Sequence, residues 1–421
     1  MNEITRNPLA PGVRLTCITT QKFKTSAMGV SLLLPLRGEP VFAALPHVLR
    51  RGTAQYPSLD AIGGALESLY GMRVEPAVRA RGETLAVGLV ADVIDEAYGG
   101  DGLTSRAAAL LLSFLNEPYL ENGQFPSVSV RSEAENLADR IAAHRNDLRS
   151  WALRRLWELM CADEAYGKNE LGTVEGALAL TPEDFMKAYR TALDDAPMEL
   201  FYCGAQLPET VADAFRAALP RRETKAYPLP ETQIFAQPPH GKRYFEESLP
   251  VTQGKLCLGF RTGITSDDPR YPALLLANAV YGGTTSSRLF RNVREKMSLC
   301  YYASTQCYRL KGVLAASSGI DNENAEVARA EILRQLEGLQ HGGAQPDELE
   351  TARRSVVNGL RAMADSPMSL ESFWLDQAIA KLSWSPEDLA ARVAEATADE
   401  VQDAARCIVP DTVFFLRGTA K

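Results

Sequence analysis

The chain reads as one order of elements written twice, and an internal repeat of this length restricts the fold more than any local pattern. The first half opens on strand-like segments at 13–18 and 29–34, followed by helix-like patterns at about 40–51 and 57–70. Two alternating strands come near 72–80 and 84–92, then helical stretches at about 101–116 and 129–160. A helix opened by Thr181-Pro182-Glu183-Asp184 and a strand at 199–203 close the half. The second half repeats the order: a strand at 254–260, helices at about 270–281 and 286–297, and strands near 300–308 and 312–320. Helices follow at about 323–341, 346–364 and 368–382, then a helix opened by Thr397-Ala398-Asp399-Glu400 and a strand at 413–416. Thr181 and Thr397 suit the cap position because a hydroxyl can accept from the free N–H groups of a first turn, and the acids beside them face its positive end. Gly204 and Gly418 end the two closing strands, and Gly52-Thr53 and Gly283-Thr284 stand 18 residues before Tyr70 and Tyr301.

Strands grouped with long helices predict an α+β protein of two homologous halves, each a mainly antiparallel sheet with helices packed on one face. Pro228, Pro230, Pro238 and Pro239 mark the join. The expected organisation is therefore a first domain over 1–222, a linker over 223–245 and a second domain over 246–421.

Composition narrows the function. A length of 421 residues with 46% apolar residues is enough for large cores without disulfide staples. The seven cysteines are scattered, with no C-x-x-C pair, and read as reduced thiols in a cytoplasmic setting. A net charge of −8 argues against a nucleic-acid-coating protein. No run approaches the length of a membrane span, and Met1-Asn2-Glu3-Ile4-Thr5-Arg6 does not open a signal peptide.

The most distinctive segment runs from Gly282 to Tyr301: a Gly-Gly-Thr start, Ser287-Arg288-Leu289-Phe290, Arg294-Glu295-Lys296 and Leu299-Cys300-Tyr301. It resembles, without a gap, the C-terminal-half signature of the pitrilysin/insulinase family of zinc peptidases, the inverzincins. The duplicated layout extends the resemblance over nearly the whole chain and implies two metallopeptidase-like halves arranged as a clam shell, in the manner of LuxS and the processing peptidases. In that family an Arg and a Tyr seven residues apart help to bind the substrate backbone, and they map onto Arg294 and Tyr301. A phenol can donate to a carbonyl oxygen as it gains charge, and a guanidinium can fix peptide carbonyls or a carboxylate. Read without the resemblance, Arg294 is a surface helix charge and Tyr301 a strand aromatic packed on the core.

The resemblance also implies H-x-x-E-H on a helix, with two His as zinc ligands, a Glu as base and a distal Glu completing the set. Aligned on Gly52-Thr53, the second His is His47, the first is Ala43 and the catalytic Glu is Pro46. Pro46 brings no acid and is expected to perturb a helix running through it. The family's distal acid falls on Asp139-Arg140, so an Arg stands where a ligand is due. Glu133 and Glu135 read as solvated helix charges. Arg149, Arg154 and Arg155 read as a solvated helix face, and Trp151 and Trp157 as core. No metal ligand set and no catalytic set is complete, and His47 is a remnant.

Half of an active site kept and half lost points to a non-catalytic, substrate-binding subunit. The family contains heterodimers in which a zinc-bearing homologous chain supplies the metal, so no cofactor is expected here and zinc is expected in the partner. The alternative is a catalytically inactive peptide-binding or scaffold homodimer without a part in proteolysis. An active metallopeptidase with unusual ligands around His47 is the third reading.

Overall fold

The computed structural model describes residues 3–219 and 227–419. Residues 223–226 of the expected linker lie outside them, and 227–242 carry neither helix nor strand. Among the described residues eleven strands form two sheets. The first has β1 (Glu3–Ala10), β2 (Val13–Thr19), β3 (Thr25–Pro35), β4 (Arg73–Arg81), β5 (Thr84–Ile94) and β6 (Met198–Gly204), in the order β1-β2-β6-β3-β5-β4. The second has β7 (Arg243–Leu249), β8 (Gly254–Arg261), β9 (Cys300–Tyr308), β10 (Val313–Ile320) and β11 (Val409–Gly418), in the order β7-β11-β8-β10-β9.

Without β1 the two orders coincide strand for strand. Each has one parallel pair, β2 with β6 and β7 with β11, and antiparallel pairs elsewhere. The duplication therefore rests on topology. The equal 18-residue spacing does not mark equivalent positions: Tyr70 sits in a left-handed turn before β4 (φ 59°), whereas Tyr301 lies inside β9. The left-handed residue that precedes β9 is Ser298 (φ 52°).

The central strands explain the layering. In β3 every residue from Ser26 to Leu34 is buried, and all of β10 is buried. Strands of that kind need cover on both faces. In the first sheet Met28, Val30, Leu32 and Leu34 face a large core shared with helices of the same half. Leu33 and Ala86 face the other way, onto Leu375 of the helix Pro367–Ile379. In the second sheet Phe260 packs on Tyr281 (ring centroids 6.3 Å apart). Cys257, Val313, Ala315, Phe414 and Leu416 pack on Ala152, Leu156 and Met160 of the helix Leu148–Met160.

Two compact units result. One comprises 1–142, 169–231 and 366–379, the other 143–168, 232–365 and 380–421. The expected helices on one face of each sheet are present. The second face is covered by a helix from the other half of the sequence.

That exchange accounts for a local difference. The stretch 129–160 reads as one long helix, but the chain forms Ser127–Ala143 and Leu148–Met160, broken by a 3-10 turn at His144–Asn146. Asp147 caps the second helix by accepting from the N–H groups of Arg149 and Ser150. The break falls where the chain passes between units. Trp151 and Trp157 are core residues, Trp157 meeting Tyr308 edge-on at 4.9 Å. The arginines beside them are more than a solvated face: Arg149 stacks on Tyr302 and Arg155 pairs with Glu247 (2.6 Å). Gly259 of β8 lets Met160 pack close, since a Cβ there would lie 2.4 Å from Met160 Sδ and push that side chain aside.

Charge fixes both exchanged segments. Glu371 receives Arg79 of β4 (2.7 Å), and Asp376 pairs with Arg81 (2.8 Å). In the other unit Glu164 takes both Arg261 and Lys311 (2.6 Å each), while Arg261 also reaches Asp411 (2.8 Å). Arg261 and Lys311 are wholly buried. Removing one partner of such a set strands the others in a medium that cannot solvate them. Glu164→Gln is expected to cost about 3–5 kcal/mol in urea unfolding. Arg361→Ala, which breaks the exposed pair with Glu387, should change stability by no more than about 1 kcal/mol. Equal effects of the two substitutions would show that the buried charges do not hold the segment.

Candidate functional site

The helix Pro40–Leu49 begins on Pro40 and turns Ala43, Ala44, Leu45, Pro46, Val48 and Leu49 inward. It runs through Pro46 without ending, and the Arg50 N–H still donates to the Pro46 carbonyl (3.1 Å). The perturbation expected of Pro46 is therefore absorbed. Ala43, one turn before His47, is fully buried.

The helix Ser127–Ala143 brings Arg140 against His47, with Nη1 2.7 Å from Nε2. A guanidinium has only donors, so Nε2 must accept and the ring is neutral with its proton on Nδ1. Burial is the largest cause holding the His47 pKa down, at about 4, and Arg140 adds to it; Glu133 opposes and Arg50 contributes less. Glu133 is not a solvated charge. It is buried and bonded to Arg51 at 2.6 Å.

These residues do not fit a zinc ion. Positions 43 and 46 offer no donor atom, the His47 lone pair is engaged, and Arg140 puts a fixed cation beside it. Among the described residues no group of three or more His, Cys, Asp or Glu is placed to hold a metal. Sequence alignment singled out Arg140 as a replaced acid; its bond to His47, across 93 positions of chain, had no signature.

In the other unit the segment 282–301 divides by task. Residues 289–296 wind with wide turns, as in the Met297 N–H donating to the Asn292 carbonyl (3.0 Å). Leu289 and Val293 are buried anchors. Arg288 binds Glu348 and the Gly343 carbonyl (2.7 Å each), and Asn292 binds Gln335 (2.9 Å). These residues build the scaffold. Arg294 is exposed and stacks on Phe290 at 4.5 Å, and Tyr301 is 78% exposed at the start of the edge strand β9. Neither makes a hydrogen bond or ion pair among the described residues. Tyr301 is not packed on the core.

A duplicated α+β, metallopeptidase-like scaffold that has no metal-binding set among the described residues is thus the class that fold and site define. The family model for the peptidase M16 inactive domain matches residues 179–356, which include the 282–301 segment. The probable inactive metalloprotease YmfF of Bacillus subtilis is 30% identical over 97% of this chain and 96% of its own length. An uncharacterized zinc protease of Streptomyces coelicolor is 25% identical over 96% of this chain and 87% of its own. A conserved protein from Enterococcus faecalis superposes with a TM-score of 0.88 at 25% identity, covering 99% of each chain. A peptidase M16 inactive domain from Pseudomonas fluorescens shares the fold at a TM-score of 0.82 and 18% identity, covering 99% of this chain and 98% of its own. The chain belongs to the peptidase M16 family and is a homologue of its inactive members.

The Arg140–His47 bond predicts a pH signature. A histidine held below its ordinary value of 6.5 binds a proton in the unfolded chain first. The stability it contributes is present above that pH and is lost as pH falls through about 4. In Arg140→Gln the His47 pKa, followed by its ring protons in NMR, should rise by at least about one unit, and the loss of stability across that window should shrink. An unchanged His47 titration would mean that Arg140 does not govern it.

Proposed function

We propose that this chain is the non-catalytic, substrate-binding subunit of a zinc peptidase heterodimer that cleaves peptides in an enclosed chamber in the cytoplasm. A zinc-bearing homologous chain supplies the metal; Arg294 and Tyr301 of this chain hold the peptide. One observation carries the reading: beside Arg288, Leu289, Asn292 and Val293, which build the fold, Arg294 and Tyr301 face solvent without polar partners among the described residues. The filled His47 position supports it from the other side, since this chain's own side chains stand where metal chemistry would be. A phenol on offer to a carbonyl oxygen and a guanidinium for peptide carbonyls or a carboxylate are binding groups that need a reacting centre from elsewhere. Free thiols at all seven cysteines agree with a reducing compartment.

The test is reconstitution with the zinc-bearing M16 homologue from the same genome, assayed on an unstructured peptide. Cleavage should require both chains. Arg294→Ala and Tyr301→Phe, both surface changes, should each lower the rate roughly tenfold to a hundredfold with the fold intact. Full activity of the homologue alone, or of the mixture containing either variant, would instead favour a scaffold without a part in proteolysis.

A further inference from the structure

Arg140 uses only part of its guanidinium on His47. Nη1 makes that bond, while Nη2 is enclosed without a partner, and neither Nη2 nor Nε makes a hydrogen bond or ion pair among the described residues. Nε–H and Nη2–H lie side by side on one edge, the fork that takes both oxygens of a carboxylate. At Arg288 the same edge is filled, with Nε and Nη2 turned onto Glu348 at 3.2 and 2.7 Å. At Arg140 the acid within reach is withdrawn, because Glu133 is bound by Arg51. Arg50, Arg51 and Arg140 stand against that single carboxylate around a neutral His47.

We infer that the free edge of Arg140, positioned by His47, binds a carboxylate of a peptide, either its C-terminus or an Asp or Glu side chain. A singly charged, planar group suits one fork better than a phosphate dianion, which Glu133 would repel more strongly and which calls for additional donors. Arg140 as a whole is only partly buried while its Nη2 is enclosed, so a carboxylate reaches the fork once the guanidinium turns outward. In taking a peptide as the source, the inference rests on the reading above; it requires neither Arg294 nor Tyr301.

Calorimetric titration of the whole chain, without any partner, tests it. Three probes are used: acetylated trialanine as the free acid, the same peptide as its amide, and the amide with a central glutamate. Binding of the free acid assigns the C-terminus, and binding of the glutamate amide assigns the side chain. In either case the plain amide should bind roughly tenfold or more weakly, and Arg140→Gln should lose a similar factor. Arg361→Ala, a surface change outside any proposed binding group, should bind as wild type does. Arg140→Lys keeps the charge without the fork and should also bind more weakly; it carries the comparison if Arg140→Gln does not fold. The His47 ring signals should move on saturation. Three probes that bind alike, no binding by any of them, or wild-type affinity in a folded Arg140 variant would overturn the inference. Reconstituted cleavage that survives Arg294→Ala, together with free-acid binding that is lost only in the Arg140 variants, would overturn the reading above and still support this inference.

Discussion

Burial of the central strands on both faces is the constraint from which the rest of the architecture follows. β3 and β10 have no face for water, and the helices of one half cover only one side of its sheet. The helices 148–160 and 367–379 supply the missing covers, each from the other half of the sequence. Apolar packing alone would let such a cover slide. The acids Glu164, Glu371 and Asp376 meet arginines fixed on strands and a lysine in the β9–β10 turn, and a buried charge permits only the arrangement in which it is paired. The break after Ala143 and the glycine at 259 are consequences of the same placement.

The two units treat their family motifs in opposite ways. Around His47 the polar positions have been turned inward on one another: Arg140 on His47, Arg51 on Glu133. A tethered cation replaces the need for a bound one, and the charge a ligand must carry changes sign. Around Tyr301 the scaffold residues Arg288, Leu289, Asn292 and Val293 are satisfied or buried, and Arg294 and Tyr301 are among the side chains left facing solvent. Among the described residues the first arrangement leaves no metal-holding group, and the second leaves a guanidinium and a phenol facing solvent.

Legibility followed the range of the interactions. The strands at 72–80 and 84–92 and the cap at Thr181 depend on neighbours in sequence and were readable there, and the capping box at Thr181 is formed. β1, β7 and the helices Pro208–Ala218 and Pro386–Glu395 escaped the reading. β1 and β7 are edge strands whose half-exposed residues leave a weak apolar signal, and the two helices are short pieces next to stronger patterns. Glu133 read as solvated because nothing local reveals that Arg51, 82 positions away, will reach it. The same limit hid the partner of Arg140.

The sequence by itself determined the duplication, the family motif at 282–301 and the loss of donor atoms at Ala43 and Pro46, because element order and residue identity are properties of the chain. Only the tertiary structure decided which helix covers which sheet, that His47 is closed by Arg140, and that Arg294 and Tyr301 are free. Those outcomes depend on distance and burial between residues far apart in sequence, and no local pattern encodes whether a charge will find its partner or be left facing water.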